Sequence, residues 1–343
     1  MTLRAFARPD SRRRYAGIRG AAALAGLLAV IAAPLAHAAP ACVQHATAPE
    51  ALASLEAAMG EGRFIGYGPT ALRIVNGRPT HADPASIRAD LAVLRPHFDG
   101  LVTYSALHGT EAIPGIATAL GFRAVIIGIW NPFDAAEVDA ALAAARRHPR
   151  LVVGLAVGNE IVFAHRHTAA ELAARIAEIR RRAPGVPLAA TEPFHVFYEP
   201  SDRVVLENVD FLLPNVHPVF QSWFATAPDA NAARFVVGVV EELARHFCGP
   251  ILVKETGVPT GPAQRGFSEA RQASFYRELR ATFAPSRSRA FVYFAAFDAP
   301  WRVADEQAAP GFHPEEAFWG LYDEHRAPKA AARELPPLEA PAR

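Results

Sequence analysis

Short runs of aliphatic residues recur along the chain, and most of them are followed by a stretch whose apolar residues repeat at helical spacing. Uninterrupted apolar runs bounded by turn residues are typical of interior parallel strands, which are covered on both faces. The chain contains eight such runs: FIGY (64–67), GLVTY (100–104), AVIIGI (124–129), LVVGLAV (151–157), PLAAT (187–191), FLLPNV (211–216), ILVK (251–254) and AFVYF (290–294).

The helix starts between these runs carry capping signals. Asp83 before Pro84 predicts an N-cap with proline in the first turn, and Asp134 with Glu137 and Thr168 with Glu171 both fit the capping box. Strand and helix therefore alternate.

Eight strand-helix units within about 250 residues are the expected size of a barrel, so we predict an α/β fold consisting of a single (β/α)8 TIM barrel over residues 62–330. An open doubly wound sheet is the competing fold, but no Gly-x-Gly-x-x-Gly or P-loop fingerprint follows any strand.

The first 38 residues differ from the rest of the chain. Six arginines precede an apolar stretch from Gly20 to Ala33, and Ala36-His37-Ala38 follows it. This order predicts a secretory signal peptide cleaved after Ala38 and hence an exported protein, periplasmic or extracellular; a retained N-terminal membrane anchor is the alternative. The predicted divisions are the signal (1–38), an N-terminal segment (39–61), the barrel (62–330) and a tail (331–343).

The charge and the cysteines narrow the function further. The formal net charge of +1 falls to −4 once the six arginines and Asp10 of the first 38 residues are removed, so nucleic acid is not an expected partner. Cys42 and Cys248 are the two cysteines of the chain. In an oxidising compartment they could form a disulfide, or remain as two unpaired apolar residues; the sequence leaves both readings open.

Polar and aromatic residues follow the predicted strands at the points where each strand ends. In a (β/α)8 barrel the groups that perform chemistry lie at the carboxyl ends of the strands, on one face. From the first strand to the eighth, the residues found there are Tyr67, Tyr104, Trp130, Asn159 with Glu160, Glu192, His217, Glu255 and Asp298. The carboxyl face of the predicted barrel therefore carries four carboxylates.

Two of these carboxylates support the sharpest hypothesis. Glu160 and Glu255 would project into one cleft from nearly opposite sides of the barrel, as a retaining glycosidase requires: one carboxyl protonates the leaving oxygen and the other attacks the anomeric carbon. Asn159 is suited to donate a hydrogen bond to a sugar 2-hydroxyl or to the nucleophile. Either glutamate taken alone has a structural alternative, as an ion-pair partner or as part of the next helix start.

Several segments resemble the signature segments of glycoside hydrolase family 17, in particular its bacterial members. They occur in the family's order and spacing: GYGPT (66–70), VTYS (102–105), VGNEIV (157–162), TEPFHVF (191–197), KETGVPT (254–260), YFAAFDAPW (293–301) and FWGLYDEHRAPK (318–329). The resemblance implies a retaining (β/α)8 enzyme acting on β-1,3-linked glucan, with Glu160 as acid/base and Glu255 as nucleophile. Val258 and Phe194 stand where the family commonly has tryptophan, which would alter a sugar-binding subsite.

The other candidates each have a structural alternative. Tyr67, Tyr104, Trp130 and Trp301 are predicted sugar platforms or, alternatively, core aromatics. His217 is a predicted substrate or nucleophile partner or a structural histidine. Glu192 is a sugar-binding or supporting carboxylate or part of an ion pair, and Asp298 binds substrate or orients the eighth loop.

The predicted function is an exported β-1,3-glucan hydrolase, with β-glucan poly- or oligosaccharide as partner and neither metal nor organic cofactor. A glucanosyltransferase is the first alternative and a non-catalytic glucan-binding barrel the second. Contact with a membrane is expected only if the N-terminal segment stays uncleaved.

Overall fold

The eight predicted strands form a closed parallel barrel in the computed structural model, which describes residues 42–45, 47, 49–304 and 313–338. The predicted signal peptide lies outside the described residues. In chain order the strands are β1 (Phe64–Gly66), β2 (Ile74–Val75), β3 (Arg78–Pro79), β4 (Gly100–Val102), β5 (Ala124–Ile129), β6 (Val152–Val157), β7 (Leu188–Ala190), β8 (Phe211–Leu212), β9 (Ile251–Thr256) and β10 (Arg289–Tyr293).

The barrel closes in the order β1-β10-β9-β8-β7-β6-β5-β4, while β2 and β3 form a separate antiparallel hairpin. All eight barrel pairings are parallel. The predicted (β/α)8 fold is therefore confirmed. The sixth barrel strand, β8, is shorter than predicted: regular pairing ends at Leu212, shortly before Pro214, which has no backbone N–H to donate. Asn215 pairs again as an isolated bridge with both Pro193 and Glu255.

Helices cover the outside of the barrel and close its base. They are α1 (Pro49–Glu61), α2 (Pro84–Leu94), α3 (Ile113–Ala119), α4 (Ala135–Arg147), α5 (Ala169–Arg182), α6 (Arg203–Leu206), α7 (Asp229–His246), α8 (Glu269–Thr282) and α9 (Ala330–Arg333). Leu52, Leu55 and Met59 of α1 pack with the inward-facing strand residues, so α1 plugs the end of the barrel at which the strands begin. Among the described residues, no helix has the length and the apolar composition needed to span a bilayer.

The helix-start predictions succeed at two sites and partly fail at the third. Asp83 caps α2 through Ser86 N–H with Pro84 in the first turn, and Thr168 with Glu171 forms the complete capping box of α5. Asp134 caps α4, but the predicted reciprocal role of Glu137 is wrong. The buried Glu137 carboxylate instead accepts the backbone N–H groups of Ala106, Trp130 and Asn131, which fixes the loop after β5.

A disulfide joins the two cysteines, with 2.02 Å between the sulfurs of Cys42 and Cys248. Beside it, Val43 pairs with Phe247 as a parallel bridge, and His45 N–H donates to Val209 O at 3.1 Å. Cys248 lies between the end of α7 and the start of β9. The N-terminal segment is therefore fastened to the base of the barrel, the face opposite the carboxyl ends of the strands.

Candidate active site

A one-residue register shift aims Glu255 into the barrel. Leu252 of β9 faces the barrel interior, whereas Val253 packs in the outer layer against the helices. Strict alternation would turn Lys254 inward and Glu255 outward. Between β9 and β10, however, Phe291 pairs with Val253 and Tyr293 with Thr256, so β9 contains one extra residue here. Such an insertion re-aims the side chains beside it, and Lys254 and Glu255 both reach the cleft.

Two neighbouring side chains hold the Glu255 carboxylate in its ionised form. Lys254 Nζ lies 3.1 Å from Oε1, and His217 Nε2 lies 3.3 Å from Oε2. Burial raises the pKa of Glu255, but the positive charge of Lys254 and the hydrogen bond from His217 outweigh it, and the pKa falls to about 2. Glu255 therefore carries a negative charge near neutral pH, as a nucleophile must.

Glu160 is presented by a tight turn after β6. Gly158 and Glu160 both have positive φ, 83° and 52°, and a side chain at position 158 would meet Ile161 at 2.9 Å. A non-glycine residue rarely adopts this conformation, and residues held in it cluster at functional sites. Glu160 N–H donates to Thr191 O at 2.9 Å, which ties the turn to the next strand end.

The pKa of Glu160 is displaced in the direction opposite to that of Glu255. Burial raises the pKa of Glu160, and the negative charge of Glu255 raises it further, against a hydrogen bond from Asn215. That bond runs from Asn215 Nδ2 to Glu160 Oε1 at 2.8 Å. Two carboxyls with pKa values pushed apart are the signature of an acid paired with a nucleophile.

Glu192 supports the turn that carries Glu160. The side chain is fully buried, and its two oxygens accept the N–H groups of Val162 and Phe163 at 2.9 and 3.1 Å. Of the roles predicted for Glu192, the supporting one matches these contacts, whereas sugar binding finds no support in a fully buried side chain. Among the described residues Glu192 has no ion-pair partner. Its carboxylate takes up backbone donors that the turn leaves free.

The raised pKa of Glu192 predicts that the free energy of unfolding depends on pH. Burial raises its pKa from 4.5 to about 7, so the folded protein binds more protons than the unfolded chain between these values. The contribution of Glu192 to the free energy of unfolding is then greatest below pH 4.5 and falls by up to about 3 kcal/mol as the pH rises to 7. Urea unfolding of the wild type and of Glu192→Gln between pH 4.5 and 7 measures this contribution. The difference between the two unfolding free energies should decline with pH, and parallel curves would contradict the assignment.

The remaining predicted platforms separate into cleft and core positions. Tyr67 is fully buried and its hydroxyl donates to Asp90 Oδ2 at 2.9 Å, so its prediction as a sugar platform is wrong. Tyr104 lies against the nucleophile: burial and the charge of Glu255 raise the pKa of its hydroxyl. Trp130 and Trp301 are partly exposed, and the Arg166 guanidinium lies 5.7 Å from the centre of the Trp130 ring.

Asp298 organises the loop after the eighth barrel strand. Its Oδ1 accepts Lys329 Nζ at 2.6 Å and Gly320 N–H at 2.8 Å, so it joins the two segments that follow β10. Of its two predicted roles, the orienting one matches these contacts, and substrate binding stays untested.

Val258 is fully buried between the barrel and α8, where Gln272 Nε2 donates to its carbonyl at 3.1 Å. The Val258 side chain is therefore part of the core, and the expected change in a sugar subsite from the missing tryptophan stays a prediction.

Two functional candidates escaped the sequence reasoning. Lys254 was assigned only to the strand, and Asn215 only to the run before His217, yet both bind the glutamates directly. The signal for Lys254 was a lysine inside an aliphatic run, next to a carboxylate. Asn215 left no comparable signal, since its role depends on bridges between neighbouring strand ends.

Within the described ranges, no three His, Cys, Asp or Glu side chains are grouped so that they could hold a metal ion. His165 and His167 follow Glu160 in the loop before α5, and His167 stacks on Phe133 with 3.6 Å between ring centres.

A (β/α)8 barrel with an ionised and a protonatable glutamate at the ends of its fourth and seventh strands defines the class of glycoside hydrolases that use two carboxyls. The chain belongs to the BtgE/BtgC glycoside hydrolase domain family, whose model matches residues 67–320, and is accordingly a glycoside hydrolase.

Individual relatives agree with this family. The chain is 27% identical over 266 residues to a glucan 1,3-beta-glucosidase of Arthroderma benhamiae, a match covering 72% of this chain and 84% of that protein. It is 28% identical over 182 residues to a probable beta-glucosidase btgE of Aspergillus terreus, covering 51% of this chain and 30% of that protein.

Solved structures share the fold. A glycoside hydrolase family 17 beta-1,3-glucanosyltransferase from Rhizomucor miehei superposes with a TM-score of 0.59 at 22% identity, over 78% of this chain and 95% of that one. An active-site mutant of the Rhizomucor miehei enzyme, in complex with laminaritriose, gives 0.60 at the same identity, over 78% of this chain and 96% of that one. The family model, the curated relative and the shared fold together support the resemblance to family 17; the narrower resemblance to its bacterial members stays a prediction.

Proposed function

We propose that this protein cleaves β-1,3-linked glucan with retention of configuration, Glu255 acting as nucleophile and Glu160 as acid/base. The observation that carries the proposal is that Glu160 and Glu255 lie on the carboxyl face of the barrel with opposite surroundings. Lys254 and His217 contact Glu255 and its pKa is lowered to about 2, whereas the pKa of Glu160 is raised. One carboxyl is therefore charged and the other can hold a proton at the same pH.

The reaction would run in two displacements. In the first, a Glu255 oxygen bonds to the anomeric carbon while the bond to the departing sugar breaks; its electron pair stays on the leaving oxygen, which takes the proton of Glu160. In the second, Glu160 removes a proton from water, the water oxygen bonds to the anomeric carbon, and Glu255 leaves as a carboxylate.

The β-1,3 linkage rests on the relatives. The Arthroderma benhamiae relative is named a glucan 1,3-beta-glucosidase, and a structural relative was solved with laminaritriose. Asn159 precedes the acid/base and is partly exposed, which suits it to bind a sugar hydroxyl. Trp130 and Trp301, also partly exposed, are proposed as stacking surfaces for the apolar faces of glucose rings.

Transglycosylation is the second candidate function. The Rhizomucor miehei structures are of a beta-1,3-glucanosyltransferase, and the two reactions differ only in whether water or a sugar hydroxyl accepts the glucosyl unit. A non-catalytic glucan-binding barrel is disfavoured, because a binding module has no need of two carboxyls with opposed pKa displacements.

We further propose that the protein is exported by its first 38 residues, that residues 39–61 form an N-terminal segment, and that residues 62–330 form the catalytic barrel, followed by a tail from 331 to 343. The composition of the N-terminal region supports export. The disulfide between Cys42 and Cys248 also supports it, since such bonds persist in oxidising compartments.

Product analysis tests the function. The purified protein is incubated with a defined linear β-1,3-gluco-oligosaccharide, and products are followed by mass spectrometry while NMR records the anomer first released. Shorter sugars released as the β-anomer support retaining hydrolysis, and longer sugars in addition indicate transfer. Release of the α-anomer would contradict the two-step mechanism, and cleavage of another β-glucan alone would contradict the linkage.

A further inference from the structure

Lys254 is a charged residue at a buried strand position, where an aliphatic residue is usual. It follows Ile251-Leu252-Val253 on β9, shares the inward direction of Leu252, and is only 1% exposed. A buried ammonium is costly unless it is paired and hydrogen-bonded. The groups that compensate Lys254 therefore show what the lysine does at this place.

Three groups surround the Lys254 ammonium, and all belong to the carboxyl face of the barrel. Its Nζ lies 2.5 Å from Asn159 Oδ1, 3.1 Å from Glu255 Oε1 and 4.4 Å from the centre of the Tyr104 ring. These partners follow the second, fourth and seventh barrel strands. Lys254 thus links the proposed nucleophile to the residue that precedes the proposed acid/base.

The contact with Asn159 determines which way its amide points. An ammonium only donates hydrogen bonds, so the atom facing Lys254 must be the amide oxygen. The amide oxygen of Asn159 is thereby occupied by Lys254, and its NH2 group is the part of the amide left to donate a hydrogen bond.

We propose that Lys254 is a positioning residue with two separable effects: its charge keeps Glu255 ionised, and its hydrogen bond turns the Asn159 amide so that its NH2 group binds a sugar hydroxyl. This inference rests on the proposed function, because it assumes that Glu255 attacks the sugar.

The charge of Lys254 also acts on the covalent intermediate. When Glu255 bonds to the anomeric carbon it loses its negative charge, and Lys254 is left beside a neutral ester. When water displaces Glu255, the carboxylate and its ion pair with Lys254 return. Lys254 therefore favours the release of Glu255 and shortens the life of the glucosyl-enzyme.

Other titratable groups also face Glu255. His217 contacts its second oxygen, Arg302 adds positive charge, and Tyr104 and Glu160 lie close enough for its charge to raise their pKa values. All of these remain in a variant changed at position 254 alone. A shift measured in such a variant therefore reports the contribution of Lys254.

Two neutral substitutions separate the two effects. Lys254→Met removes the charge and the hydrogen bond to Asn159, whereas Lys254→Gln removes the charge but keeps an N–H donor for the Asn159 oxygen. In both variants the acidic limb of kcat/KM should rise by about 1 to 3 pH units, because an opposite charge at this distance lowers a carboxyl pKa by that amount. At pH 6, KM should rise further in Lys254→Met than in Lys254→Gln.

Lys329→Met is the matched control. Lys329 is also buried and paired with a carboxylate, Asp298, at 2.6 Å, but it does not contact Glu255. The Lys329→Met variant should keep the acidic limb of kcat/KM at the pH of the wild type. Near-ultraviolet circular dichroism compares the folding of the three variants. With a glucoside that has a good leaving group, accumulation of the glucosyl-enzyme gives an initial burst of released leaving group. This burst should be larger in both Lys254 variants than in the wild type.

The outcomes distinguish this inference from the proposed function. An acidic limb unchanged in both Lys254 variants, or moved equally in Lys329→Met, overturns the role of Lys254. If Lys254→Met does not fold, the limb of Lys254→Gln decides, and failure of both to fold assigns the lysine to stability and overturns the inference. Full turnover in Glu255→Gln overturns the proposed function itself, whatever the Lys254 variants show.

Discussion

The Glu255→Gly variant should hydrolyse β-1,3-glucan at least about four orders of magnitude more slowly than the wild type, which is the scale of loss seen when a nucleophile is removed. The reason is that the space left by the carboxylate contains no group able to bond to the anomeric carbon. Added azide should enter that space and restore turnover on a β-glucoside with a good leaving group. Because azide then attacks from the face that Glu255 used, the product should be an α-glucosyl azide, identified by NMR.

Glu315→Gln serves as the control for the loss of a buried carboxylate. Glu315 is 4% exposed and pairs with Arg265 at 2.5 Å, and none of its hydrogen bonds or ion pairs among the described residues involves Glu160 or Glu255. It should keep its turnover and form no glucosyl azide. A β-glucosyl azide from Glu255→Gly, or activity that survives without azide, would contradict the nucleophile assignment.

Glu160→Gln should show a loss that depends on the leaving group. A departing sugar needs the proton of Glu160, so turnover of oligosaccharides should fall by about 10²- to 10⁴-fold. Formation of the glucosyl-enzyme from an aryl glucoside with an acidic phenol should change little, because that group leaves without a proton. Hydrolysis of the glucosyl-enzyme needs Glu160 as base, so this intermediate should accumulate in the variant and appear as a burst of released phenol. Added azide should react with the intermediate to give a β-glucosyl azide.

The pH profile provides a second readout for Glu160. Burial and the charge of Glu255 raise the pKa of Glu160, so the protonated form persists to higher pH than in an ordinary glutamate. The basic limb of kcat/KM for oligosaccharides should follow this pKa and disappear in Glu160→Gln. An equal loss on both kinds of substrate, with the basic limb retained, would assign the acid role to another residue.

The barrel could be predicted from the sequence because each strand and helix start has a local signal. All eight aliphatic runs became barrel strands, and the Thr168–Glu171 capping box formed as expected. Glu160 and Glu255 could be named as candidates because a (β/α)8 fold assigns chemistry to the ends of strands. That rule locates a side chain along the barrel axis but not its direction.

Direction and burial are the properties that local patterns could not supply. The inward turn of Glu255 depends on a register shift between β9 and β10, which involves a strand some 35 residues away in the sequence. Tyr67 and Glu192 also end strands, yet they bond to Asp90 and to the Glu160 turn because of packing between units. The role of Lys254 could not be predicted for the same reason, because its partners lie at the ends of three different strands.

The disulfide at the base has a practical consequence for handling the protein. Because Cys42 is fastened to Cys248, a tag or surface linkage placed just ahead of it holds the barrel by the end opposite the two glutamates. A protein immobilised in this way presents its cleft outwards. Particles of insoluble glucan, too large to pass around the barrel, would then meet the proposed catalytic groups directly on a solid support.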